Sequence, residues 1–153
     1  MSRRRDGTYR IELPEGERAL LRALPGQLQS LLRSEPADPS LRRLFPPAYP
    51  VHPDNEQEYR ELVGEDLLDG HLSALKLLAS TADAETLDEE QLVAWMRALN
   101  QLRLVLGTRL DVDDESSGEL PDPGDPDAEV RNVFIYLGWL QEQVVSALSV
   151  RGS

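Results

Sequence analysis

One stretch, residues 92–110, constrains the fold of this chain more than any other. Leu92, Trp95, Met96, Leu99, Leu102 and Leu106 recur at steps of three and four. That is the period of a helix with one face in a core. Asn100, Arg103 and Arg109 interrupt a stretch otherwise suited to burial. A buried amide or guanidinium is costly unless it is paired, so these residues are expected to have partners elsewhere in the fold. Asn100 and Arg103 lie three apart, on one helical face. The preceding long helix offers Asp66 and Glu65 as acceptors for Arg103, because a short connection brings antiparallel helices together. The same residues form the candidate docking spot if the cluster serves a partner instead.

Other segments repeat the helical signal. After Pro14, the leucines at 20, 21, 24, 28, 31 and 32 make an apolar stripe, which Pro25-Gly26 is expected to kink or split. A longer helix is predicted from about Asn55 to Ala79, with Tyr59, Leu62, Val63, Leu67, Ala74, Leu75 and Leu78 inward. Thr86-Leu87-Asp88-Glu89 fits a capping box that starts the next helix, and Gly107 is placed to help end it. A last helix begins near Asp125-Pro126, with Val130, Val133, Phe134, Leu137, Leu140, Val144 and Leu148 as its stripe. Tyr9–Leu13 alternates apolar and polar, a short strand or extended arm. Phe45-Pro46-Pro47-Ala48-Tyr49-Pro50 reads as a rigid strap across the bundle rather than a ligand for an aromatic groove. The fold expected is all-α: a small bundle of four to five helices with a short N-terminal extended segment, one domain over residues 1–153.

Charge is divided unevenly. The chain carries a net charge of -12. Residues 1–43 hold nine basic and six acidic side chains, whereas the remaining 110 hold seven basic and 22 acidic. Nucleic-acid affinity rests largely on neutralised phosphates, so direct DNA binding could start only from Arg3, Arg4 and Arg5. Those arginines are read as a flexible basic arm over residues 1–8, with a phosphate or partner clamp as the functional alternative. An acidic body suits a basic protein partner better. Residues 111–126 combine prolines, glycines and carboxylates without a basic residue, the composition of a mobile acidic loop.

Several chemistries find no support. There is no cysteine, so neither a disulfide nor a thiol sensor operates within these residues. His52 and His71 are far apart and neither has metal-ligand spacing. No nucleophile elbow, phosphate loop or dinucleotide fingerprint occurs. The expectation is a protein that is not an enzyme and uses no metal or cofactor. With no apolar run of spanning length and no secretory leader pattern, it is expected to be cytoplasmic.

Three segments together resemble a known pattern: Trp95-x-x-Ala98-Leu99-Asn100-x-Leu102-Arg103-Leu104-x-Leu106-Gly107-x-x-Leu110, Leu41-Arg42-Arg43-Leu44-Phe45-Pro46-Pro47-Ala48-Tyr49-Pro50, and Tyr136-Leu137-Gly138-Trp139-Leu140-Gln141-Glu142. Their order and spacing are similar to an actinobacterial domain-of-unknown-function family that includes the oxidative-stress transcriptional regulator AosR. The resemblance implies a transcriptional co-regulator that contacts a sigma factor or RNA polymerase and meets DNA only indirectly. An adaptor or structural partner in regulated proteolysis is the alternative it leaves open. Without cysteine, a response to oxidation would fall to Met1, to Met96 or, more simply, to a partner that owns the thiols. Trp139, beside the small Gly138, is read as core or as a homodimer interface, since Gly138 and Gly107 would let helices approach closely.

Overall fold

A central helix organises the molecule. The computed structural model describes residues 1–35, 38–44, 56–110 and 128–149, the side chains of 42–43 and 56–66 excepted. Within them the order is β1 (Ser2–Arg3), β2 (Tyr9–Arg10), α1 (Glu15–Ser34), a 3-10 turn (Pro39–Leu44), α2 (Glu56–Ser80), β3 (Thr86–Leu87), α3 (Glu89–Leu110) and α4 (Ala128–Ser149). Helix α3 touches α1, α2, α4 and the 3-10 turn. Its side chains Leu92, Trp95, Ala98 and Leu99 are fully buried, as are Leu75 and Leu78 of α2 and Leu137, Leu140 and Val144 of α4. This is the small helical bundle that the apolar periodicity predicts. Among the described residues no helix is long and apolar enough to cross a membrane.

The extended segment at the N-terminus is the middle strand of a three-stranded antiparallel sheet, β1-β2-β3. Tyr9 pairs with Arg3 on one side and with Leu87 on the other. The Ile11 amide carries the pairing one step further, donating to the Glu85 carbonyl at 2.8 Å. Residues 1–8, expected as a flexible arm, supply β1 and the turn into β2. Gly7 takes the left-handed conformation that this turn needs (φ +87°). Asp6 accepts from both the amide and the hydroxyl of Thr8. Side chains alternate across the strand, so Tyr9 and Ile11 enter the core while Arg10 stays in water.

Three local expectations need correction. Helix α1 runs through Pro25 unbroken, and Pro25 is buried with Leu21, Leu28 and Leu32 as one member of the stripe. Tertiary burial of that face outweighs the missing backbone donor. Helix α3 likewise continues through Gly107 to Leu110. The capping box lies two residues downstream of the one expected. Asp88 Oδ1 accepts from the Gln91 amide at 2.7 Å, and Gln91 Oε1 accepts from the Asp88 amide at 2.9 Å. Both tetrads fit the capping pattern, but pairing of Thr86–Leu87 with β2 commits the first of them to the sheet. Asp88→Ala is therefore expected to cost about 1 kcal/mol of stability in urea denaturation, with Thr86→Val close to neutral. Equal losses would return the cap to Thr86.

Polar contacts also tie α2 to its neighbours. Gln29 Nε2 donates to the Leu72 carbonyl at 3.3 Å, from α1 to α2. His71 Nε2 lies 3.0 Å from the Leu44 carbonyl, from α2 to the 3-10 turn. The Phe45–Pro50 strap, His52, the 111–126 loop and the Asp125-Pro126 cap lie outside the described residues, as do the side chains of Tyr59, Leu62 and Val63, expected to face inward.

Candidate functional site

The polar residues singled out on α3 separate in the structure. Arg103 is partly buried in the seam between α3 and α4. Its Nη1 donates to Gln141 Oε1 at 2.6 Å, and its Cζ stands 5.4 Å from the centre of the Phe134 ring. The guanidinium also lies against Gly138, where a Cβ would come within 3.3 Å of Nε and Nη2. Phe134, Gly138 and Gln141 sit at i, i+4 and i+7, a single face of α4 that offers a ring, a gap and an acceptor in succession. The small residue at 138 thus admits a guanidinium rather than a neighbouring helix backbone. Buried Arg103 Nε has no hydrogen-bond partner among the described residues.

The described acceptor is the neutral amide of Gln141 on α4, while the side chains of Asp66 and Glu65 lie outside the described residues. Helix α3 packs on both α2 and α4, and its own spacing does not say which neighbour Arg103 faces. Asn100 is exposed. The buried amide is its neighbour Gln101, 5% exposed, whose Oε1 has no donor among the described residues. One residue along a helix is a rotation of about 100°, enough to exchange solvent for core.

Trp139 is not in the core. It is 49% exposed, and Val145 on the same helix is 44% exposed. The indole stacks on Tyr136 with ring centres 6.0 Å apart and planes inclined by 30°. Tyr136 lies partly buried behind it, its hydroxyl buried. Burial, reinforced by the nearby Glu17 carboxylate of α1, raises this phenol above its ordinary range. Glu142 follows Trp139 by one turn and is exposed. The arrangement is an exposed indole backed by a partly buried phenol ring, beside an acidic side chain.

The remaining candidates are peripheral. Arg3 lies in β1 and Arg4 and Arg5 in the following turn, all three exposed. Arg109 is exposed in the last turn of α3, where a cation complements the helix dipole.

Arg18, in the second turn of α1, was not legible from sequence. Its Nε donates to the Leu13 carbonyl, its Nη1 to Ala82 and Ala84, and its Nη2 to Ile11, at 2.9–3.1 Å. One guanidinium therefore ties the β2 exit, the start of α1 and the α2–β3 turn together. Its contacts are backbone carbonyls, which leave no side-chain pattern to read.

A family described as a domain of unknown function, DUF2017, matches residues 1–148. The chain belongs to the DUF2017 family. Among curated relatives, the oxidative stress regulator AosR of Mycobacterium tuberculosis H37Rv is 30% identical, the alignment covering 94% of this chain and 84% of that protein. The Mycobacterium bovis protein of the same name matches equally. A Mycobacterium leprae relative is 32% identical over 74% of this chain and 59% of its own length. No solved structure matches. The DUF2017 match spans β1 to α4, so the N-terminal hairpin, the Arg18 tie and the α3–α4 seam all fall inside it. The names of its relatives support a regulatory role for this chain.

Proposed function

We propose that this chain is a non-enzymatic transcriptional co-regulator of the oxidative-stress response, acting in the cytoplasm by contact with a sigma factor or RNA polymerase. The observation that carries the reading is the half-exposed Trp139 stacked on Tyr136, on a chain whose relatives are named as oxidative stress regulators. A large aromatic held rigid at a surface is characteristic of a contact that buries it. The net charge of -12 favours a basic partner and opposes phosphate contact. Because these residues include no cysteine, the oxidant signal reaches the complex through the partner's thiols.

Affinity capture from oxidant-treated actinobacterial cells tests this, with Trp139→Ala beside the parent protein. Sigma factor or polymerase subunits should be retained by the parent and reduced about tenfold by the variant, the effect of losing one aromatic anchor worth about 1.4 kcal/mol or more. Recovery of protease chaperone components would support the proteolytic adaptor instead. Labelled promoter DNA titrated with the purified protein should show no tight binding at physiological salt unless the partner is added. Sequence-specific retention by the protein alone would make it a direct DNA binder.

A further inference from the structure

Helices α1 and α3 leave a groove of about 330 Å³ between them on the surface. Its apolar lining is Leu24, Leu28 and Leu31 from α1, with Leu102, Val105 and Leu106 from α3. On each helix these positions recur at three- and four-residue steps, so both present a ridge to the groove. Leu24, Leu31 and Leu106 remain partly exposed. From Leu24 to Glu35 the lining extends roughly 17 Å at 1.5 Å per residue, the length of three helical turns.

The charge at one end selects what fits. Exposed Glu35 and Arg109 both line the groove there, beside the C-terminal ends of α1 at Ser34 and α3 at Leu110. The unpaired carbonyls of helix C-termini carry partial negative charge. Asp38 follows shortly after Glu35. Its carboxyl is held below its ordinary value by the Ser40 hydroxyl and amide, and further by Arg109. Among the described charged side chains at this end of the groove, Arg109 faces two carboxylates, Glu35 and Asp38, and the balance of these three is negative.

We infer that this groove is a second docking site, and that its occupant is a short amphipathic helix of a protein partner, with leucine-like anchors along one face and lysine or arginine at the end that meets Glu35. This rests on the reading of the chain as a protein-binding module, and it adds a site on a different face from Trp139. Apolar anchors at helical spacing would fill the leucine-lined floor, while basic residues would meet the carboxylates and carbonyl ends.

The probe is a fluorescein-labelled synthetic peptide of about 14 residues, near four turns, with leucines at i, i+3, i+4, i+7 and i+11 and lysines elsewhere. Controls are a scrambled peptide of the same composition and a version with glutamate for lysine. Anisotropy titrations of the full chain should show saturable binding of the ordered lysine peptide, at least tenfold tighter than either control. The double variant Leu31→Gln and Leu106→Gln should weaken it at least tenfold. Glu35→Lys, an exposed change that leaves the floor intact, should weaken it several-fold, and Trp139→Ala should leave it unchanged. Amide resonances that shift on binding should cluster on α1 and α3. Equal binding of the scrambled peptide, or wild-type affinity in Glu35→Lys and in a folded double variant, would overturn the groove proposal. If the peptide binds as expected and no sigma factor or polymerase subunit is captured from cells, the groove stands and the transcriptional reading falls.

Discussion

Replacing Arg18 with alanine is expected to detach the N-terminal hairpin and destabilise the whole fold. The guanidinium supplies hydrogen bonds to the carbonyls of Leu13, Ile11, Ala82 and Ala84. Charge-assisted bonds contribute about 1.5–3 kcal/mol each, and four made by one rigid group are not additive. The net loss in Arg18→Ala should be on the order of 3–5 kcal/mol, about that for removing one member of a buried charged pair. Arg18→Lys should rescue little, because an ammonium is a point donor and cannot span carbonyls on three segments as the planar fork does. Urea denaturation measures the global loss, and amide exchange at Tyr9 and Ile11 measures release of the strand. Protection at those amides unchanged in Arg18→Ala would show that the strand is held by its ladder and core contacts alone.

Trp95→Ala should cost a similar amount by a different route. The ring is fully buried in the central helix, and truncating a core tryptophan costs about 3–5 kcal/mol through lost burial and the cavity left behind. The indole also makes a specific bond. Its Nε1 donates to Thr81 Oγ1 at 2.7 Å, and the Thr81 hydroxyl donates in turn to the Leu77 carbonyl at 2.6 Å. Trp95 thereby fixes the end of α2 where the chain turns into β3. Thr81→Val isolates this term: it keeps the shape, removes the acceptor and strands a buried N–H, at about 1–3 kcal/mol. Thermal or urea midpoints for the two variants, with Trp95→Phe as the partial restoration, check the assignment. A Thr81→Val protein as stable as the parent would reduce the contribution of Trp95 to packing alone.

The surface aromatic and the α3–α4 seam show how far spacing alone reaches. Apolar repeats along residues 92–106 and 130–148 place Trp95, Leu99, Leu137, Leu140 and Val144 inside, and all five are buried. The same repeats leave Trp139 between stripe positions, and of the two expectations, core or dimer interface, its exposure overturns only the core. Helical phase decides the matter: Leu137 and Leu140 face inward, and Trp139 between them faces water. Arg103 illustrates the opposite limit. Its need for partners follows from its setting among leucines, but their identity is a property of α4, where Phe134, Gly138 and Gln141 form a recess for it.

By itself the sequence determines the helices, the strand at Tyr9–Arg10 and most of the inward face of each element, because those depend on local periodicity and on the solvent preference of each side chain. The family is legible for a related reason: several of its motif residues, among them Trp95, Leu99, Leu137 and Leu140, belong to those faces. Tertiary structure decides which competing local signals prevail. Pro25 remains in an unbroken helix because its face is buried. Thr86 enters a sheet and leaves the cap to Asp88 because β2 lies beside it. Arg18 binds carbonyls brought together from residues 11–13 and 82–84, and the groove exists only where α1 and α3 stand apart. These outcomes depend on contacts between segments distant in the chain, whose free energies of burial and pairing exceed the local preferences that separate the alternatives, about 1 kcal/mol for most residues and about 3 kcal/mol for a proline inside a helix.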